Sequence, residues 1–170
     1  LKNKELINQL IADHNLHETI HQTANCCLSA LKNKHKLIFA GNGGSAADSQ
    51  HLSAELMSKF EFEREAISSI ALTTDTSILT SISNDFDYSN IFSRQIEGIG
   101  CMGDVFFGIS TSGNSQNIVK AFVTAKSKGI ICVGFTGNND KLASYCDYLI
   151  KVPSSNTARI QEGHRIIGHI

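Results

Sequence analysis

The chain has 170 residues, enough for one domain, 1–170, that buries its own core without disulfides or a structural metal. Its 15 Lys and Arg stand against 16 Asp and Glu, which excludes the basic face of a nucleic-acid binder and leaves no polybasic signal for a membrane surface. No apolar run reaches the roughly 18 residues of a bilayer span, and Leu1–Leu10 is polar and helix-like rather than a secretory leader. Cys26, Cys27, Cys101, Cys132 and Cys146 form no CxxC, and they read as free thiols of a reducing cytoplasm.

The segment Lys2–Lys32 has no Gly or Pro, and Leu6, Ile7, Leu10, Ile11 and Leu31 recur at helical spacing, so it reads as one long helix or two short ones. That stripe offers more apolar surface than one domain must cover, so residues 1–32 are expected to make oligomer contacts. Lys36–Ala40 reads as a buried strand ended by Gly41-Asn42-Gly43-Gly44, and Ser45–Phe60 as a helix with Ser45 as its N-cap. A second strand is expected at Ile67–Leu72, then helices at Thr74–Ser83, with Asp75 near its start, and Ile91–Ile99. Asp104–Ile109 is the third strand, Ser110–Ser115 a loop and Gln116–Lys128 a helix ended by Gly129. Ile130–Phe135 and Tyr148–Val152 are the last strands, with a turn and short helix between them, and Thr157–Ile170 is the last helix.

Short, almost wholly apolar strands alternating with helices predict an α/β fold: a doubly wound parallel sheet covered on both faces, with its ligand beyond the carboxyl ends of the strands. The first such loop, GNGGSAAD, lacks the lysine of a P-loop, and no acidic residue ends the next strand to hold a ribose, so a dinucleotide site is not indicated. Its glycines let backbone approach a ligand, and the following helix start favours an anion. The loop after the third strand crowds the hydroxyls of Ser110, Thr111, Ser112 and Ser115 around one glycine before a helix, a phosphate cradle that needs no Arg or Lys.

His51 and Glu55 lie one turn apart on one helix face, which suits either two metal ligands or a base and its orienting partner. On the last helix Gln161 and His169 are eight residues apart, a rise of about 12 Å. They reach one ion only at full extension, and by spacing His164 is the nearer partner of Gln161. His14, His17 and His21 share a face with metal-binding spacing but have no carboxylate beside them, and His35 reads as surface.

The stretches GNGGSAADSQHLSAEL, ALTTDTSILTSISNDF, GDVFFGISTSGNSQNIVKA and VPSSNTARIQE together resemble the phosphoheptose isomerases, the sedoheptulose 7-phosphate isomerase branch of the SIS domain superfamily. The resemblance covers nearly the whole chain in order. It implies a five-stranded parallel sheet flanked by helices, assembled as a homotetramer, and a cytoplasmic enzyme of carbohydrate metabolism. That enzyme converts sedoheptulose 7-phosphate to D-glycero-D-manno-heptose 7-phosphate through an enediolate, in heptose (ADP-heptose and lipopolysaccharide) biosynthesis.

The resemblance also implies substrate contacts at Asn42, Gly43, Gly44, Ser45, Glu55, Asn84, Asp85, Ser110, Thr111, Ser112, Ser115 and Gln161. Zinc ligands fall on His51, Glu55, Gln161 and His169, and the proton-transfer pair on Glu55 and His169, expected to act where subunits meet. The family's last helix runs beyond its histidine, whereas one residue follows His169 here. Related non-catalytic SIS modules bind sugar phosphates or associate with a replication initiator. Such a module needs the loops but neither Glu55 nor His169.

Overall fold

The structure, a computed structural model, describes residues 2–170. Leu1, counted above in the segment 1–32, lies outside the described residues. Among those residues the order is α1 (Lys2–Ala12), α2 (His14–Lys32), β1 (Leu37–Gly41), α3 (Gly44–Met57), β2 (Ser69–Ala71), α4 (Thr76–Asp85), α5 (Ser93–Ile99), β3 (Val105–Ile109), α6 (Gln116–Ser127), β4 (Ile131–Thr136), β5 (Tyr148–Lys151) and α7 (Thr157–Gly168). All strand pairings are parallel, in the order β2-β1-β3-β4-β5. This is the expected doubly wound, five-stranded α/β sheet.

Every residue of β1 and β3 is buried, because both faces of the sheet are covered. Successive side chains alternate between those faces. Leu37, Phe39, Phe107 and Phe135 pack under α1, α2, α3 and α7. Ile38, Ala40, Phe106 and Cys132 pack under α4, α5 and α6, with Phe122 edge-on to Phe106 at 5.1 Å between centroids. The chain therefore leaves β1 toward one face and β3 toward the other, and Gly41 lies directly opposite Ile109. The diverging loops open a crevice between them, which is where such sheets bind ligands.

Several expected boundaries move, each for a local reason. The N-terminal segment is two helices because Asp13 accepts the N–H of Leu16 at 2.9 Å and starts α2. The N-cap of α3 is Gly43 at φ 55°, not Ser45, which is buried inside the first turn. Helix α3 stops at Met57 instead of Phe60, and the guanidinium of Arg64 donates to the carbonyls of Glu55 and Leu56 at its end. A 3₁₀ turn at Tyr88–Asn90 precedes α5, which begins at Ser93 instead of Ile91. The short helix before β5 is a single 3₁₀ turn at Ala143–Tyr145.

Asp104 ties three elements together. Its carboxylate accepts the backbone N–H of Lys36 at 3.0 Å, the Lys36 ammonium at 2.7 Å and the N–H of Cys101 at 2.8 Å. His35, read as surface, is half-buried beside it against Gly103. Burial alone raises the Asp104 carboxyl, but these donors outweigh it and hold the group below its ordinary value. A depressed carboxyl stabilises the fold above the unfolded value of about 3.9, and that contribution fades as pH falls through the folded value. Asp104→Asn should cost about 1–3 kcal/mol at neutral pH. It should also flatten the acid limb of stability, measured by urea unfolding from about pH 7 to about pH 2.

Candidate active site

The crevice has two walls. On one, the tight turn after β1 requires Gly43 at positive φ, and a Cβ there would meet nothing within 4 Å, so the backbone faces open space. On the other, Ser110 Oγ lies 2.9 Å from Ser115 Oγ, Ser112 Oγ accepts the N–H of Asn114 at 3.2 Å, and Gly113 makes the turn at φ 64°. Ser115 occupies the N-cap of α6 without a side-chain cap bond, so the first N–H groups of that helix remain available to an anion. Thr111 is half-buried in the same loop.

A pair of amides joins the walls. Asn42 Nδ2 donates to Asn117 Oδ1 at 2.9 Å, Asn117 Nδ2 returns a bond to Asn42 Oδ1 at 2.8 Å, and the Tyr88 hydroxyl donates to that same oxygen at 3.0 Å. The cleft beside them, about 590 Å³, is lined by Asn42, Asp87, Tyr88, Ser115, Asn117 and Lys120. The Lys120 ammonium donates to Ser89 Oγ at 2.6 Å and Asn90 Oδ1 at 3.2 Å. The cradle thus has a cation close by that the hydroxyl pattern did not call for. Lys120 lies four residues after Gln116 on one helix face, the spacing that could have revealed it. Asn84 and Asp85 sit elsewhere: they are exposed at the end of α4, bonded to each other at 2.8 Å, and Asp85 lines a different hollow with Ile78 and Phe86.

The second half of the site depends on α3 and α7, which meet in a constant register. Gly44 lies under the Gln161 side chain, where a Cβ would run into the amide. Asp48 accepts from Arg165 at 2.7 Å, Leu52 packs against Gly168, and His51 Nε2 lies 2.7 Å from His169 Nε2. Residues 44, 48 and 51–52 therefore oppose 161, 165 and 168–169, a turn at a time. Glu55 stands 3.7 Å from Nδ1 of His51, an electrostatic neighbour rather than a hydrogen bond. One chain suffices to bring Glu55, His51 and His169 onto one patch; no second subunit is needed for that contact.

The other histidines do not join this patch. His164 is a core residue, 1 % exposed, beside Phe135, with Nε2 at 3.1 Å from the Thr136 carbonyl. Burial pushes its imidazole down, while the Thr136 bond and the charge of Asp48 work the other way. His17 and His21 bond Leu10 O and Asn25, each at 2.9 Å, so the α2 histidines do not converge.

Two imidazole nitrogens aimed at each other, with a carboxylate beside one of them, are donors suited in kind to zinc, while the Gln161 amide lies over Gly44, two turns back along α3. Glu55 stands on the Nδ1 side of His51, and among the described residues no three His, Cys, Asp or Glu side chains converge on one point. Asn117, Tyr88, Lys120, Asp48 and Arg165 are the site residues that sequence reasoning missed.

The profile of the SIS domain family matches residues 3–137. The chain is 54 % identical over 162 residues to a phosphoheptose isomerase of Aneurinibacillus thermoaerophilus, covering 95 % of this chain and 82 % of that protein. It is 53 % identical over 163 residues to phosphoheptose isomerase 2 of Campylobacter jejuni, covering 95 % and 81 %. The solved phosphoheptose isomerase of Francisella tularensis superposes with a TM-score of 0.94 at 32 % identity, over 99 % of this chain and 89 % of that one. That of Neisseria gonorrhoeae gives 0.87 at 38 % identity, over 99 % and 88 %. The chain belongs to the phosphoheptose isomerase family of SIS domain proteins.

The amide pair across the crevice is 3 % exposed at Asn117, so loss of that side chain takes both of its hydrogen bonds from Asn42 and leaves the one from Tyr88. Asn117→Ala should cost about 1–3 kcal/mol in urea unfolding. Amide hydrogen exchange should speed up at Asn42–Ser45 and at Ser115, with the β4–β5 ladder unaffected.

Proposed function

We propose that the chain is an aldose–ketose isomerase that converts sedoheptulose 7-phosphate to D-glycero-D-manno-heptose 7-phosphate through an enediolate. The observation that carries the reading is the grouping of Glu55, His51 and His169 on one patch of α3 and α7, the helix pair whose start borders the crevice. His51 lies about 10 Å along α3 from Gly44, a separation suited to an extended substrate with its phosphate at one end and its carbonyl at the other. The relatives named phosphoheptose isomerases support the same reading.

The phosphate sits among Ser110, Thr111, Ser112 and Ser115, at the start of α6. Glu55 takes a proton from C1 of the ketose, and the bonding pair forms the C1–C2 double bond while the C2 oxygen takes up the charge. His169 supplies the proton that O2 gains. Collapse of the enediol then returns a proton to C2 as O1 loses its hydrogen, which leaves the aldehyde at C1 with protons balanced. A divalent ion, zinc on the family pattern, would be held by His51, Glu55, Gln161 and His169 and would supply positive charge to the developing oxyanion. Asn42, Gly43, Gly44 and Ser45 hold the sugar on the other wall, whereas Asn84 and Asp85, at the end of α4 and with Asp85 in a different hollow, are assigned no contact within this chain.

The product serves heptose synthesis for surface glycans such as lipopolysaccharide, in the cytoplasm. No helix among the described residues is long and apolar enough to cross a membrane, and burial pushes the thiols of Cys27, Cys132 and Cys146 up to about 12, which keeps them protonated. The assembly is a homotetramer built through residues 1–32, where Ile11 is 65 % and Leu28 50 % exposed. The non-catalytic module is the weaker reading, because it leaves the Glu55–His51–His169 grouping without a task.

Supplied with sedoheptulose 7-phosphate in deuterated water, the protein should form the aldose phosphate with deuterium at C2. Glu55→Gln and His169→Ala should each lower kcat by about 100- to 10,000-fold while substrate binding persists. A chelator should lower kcat and added zinc should restore it. Binding without turnover by the unaltered protein would replace this reading with the non-catalytic one.

A further inference from the structure

Asp48 is 2 % exposed and lies one turn before His51 on α3. Its Oδ1 accepts from Arg165, whose side chain is 58 % exposed, and its Oδ2 has no partner. His164, the residue before Arg165, is 1 % exposed and has an unpartnered Nδ1. Because His164 Nε2 faces the Thr136 carbonyl, it carries the ring hydrogen, and Nδ1 of the neutral ring presents a lone pair. Two buried acceptors, one on α3 and one on α7, therefore lack a donor, and the charge of Asp48 is felt at the His164 ring. They cannot satisfy each other, whereas one water with two O–H groups satisfies both.

A buried carboxylate is a poor source of net stability, since an apolar pair of similar volume does as well or better. What it adds is discrimination between arrangements. Apolar contacts such as Leu52 on Gly168 tolerate a slip of one helix along the other, but a slip of α7 would strand the Asp48 charge in the core. Gly44 under Gln161 marks the same register one turn earlier, and His51 on His169 marks it one turn later.

We propose that Asp48 is a positioning residue that, with Arg165 and His164, fixes the register of α3 on α7 so that His51 meets His169, and that Asp48 and His164 share one internal water. The kinetic part of its test rests on the isomerase reading; the spectroscopic part does not.

The test compares Asp48→Asn, Arg165→Gln and the double variant in the whole chain. Both singles should lower kcat on the order of tenfold or more, as a small misplacement of reacting groups does. KM for the ketose phosphate should stay within about twofold, because the phosphate loop belongs to other elements. The double variant should be no slower than the worse single, the non-additivity of two groups acting as one. In nitrogen-detected imidazole spectra the signals of His51 and His169 should shift in each single, while those of His14 and His21 hold. A crystal structure should show one water bonded to both Asp48 Oδ2 and His164 Nδ1.

Lowered thermal stability with unaltered kcat, a change confined to KM, or an additive double variant would overturn the positioning role. A direct carboxylate–imidazole bond would overturn the water. Arg165→Gln removes a side chain more than half exposed, so the role stays testable if Asp48→Asn fails to fold. Should the unaltered protein not isomerise the sugar, the imidazole signals still decide: unmoved signals overturn the positioning role, and shifted ones uphold it while the isomerase reading falls.

Discussion

Everything at the candidate site depends on one packing constraint, the in-register contact of α3 with α7. The two helices are more than a hundred residues apart in the chain, yet each turn of one is matched to a turn of the other, from Gly44 and Gln161 to His51 and His169. The absence of a side chain at Gly44 and at Gly168 lets them approach closely, and the Asp48–Arg165 pair makes that approach polar at one level. Two imidazoles that come from distant parts of the chain are thereby held at 2.7 Å. Small rotations of either helix would part them, which is why the site belongs to a rigid element pair and not to loops.

The sheet supplies the second constraint. Because the strand order turns back at β1 and β3, the two loops that leave their carboxyl ends diverge and must be held at a set width. The reciprocal amide bonds of Asn42 and Asn117 do this with uncharged groups, so they add no net charge to a cleft suited to an anion. Tyr88 ties the following segment to the same point, and Lys120 holds Ser89 and Asn90. The loops around the crevice are thus tied together by side chains that are not themselves the hydroxyl cradle.

Electrostatics divides the molecule in the same way. Charges that are buried near the sheet have structural partners, as Asp104 has in Lys36 and Cys101. The groups of the His51 patch remain about one-third exposed, His51 at 37 % and Glu55 at 32 %, so solvent and ligand reach them. His164, four residues before Gly168 in the same helix, is instead sealed against Phe135 and carries structure.

Composition, apolar strand runs and loop chemistry determined the class of this protein without coordinates. The five parallel strands, the crevice at their carboxyl ends, the hydroxyl loop and the one-turn pair His51 and Glu55 are all local patterns, and local patterns survive in a linear chain. Helix ends were less legible. Gly43 takes the N-cap that Ser45 suggested, and Arg64 captures the end of α3 from eight residues away, an interaction that propensity does not encode. Only the tertiary structure decided that His51 meets His169, that His164 turns inward despite its favourable spacing from Gln161, and that Asn42 is bonded to Asn117. Spacing along a helix reports which side chains share its face, but which face meets another helix, and at what register, is settled by how the two surfaces pack, and that information is spread over residues a hundred positions apart.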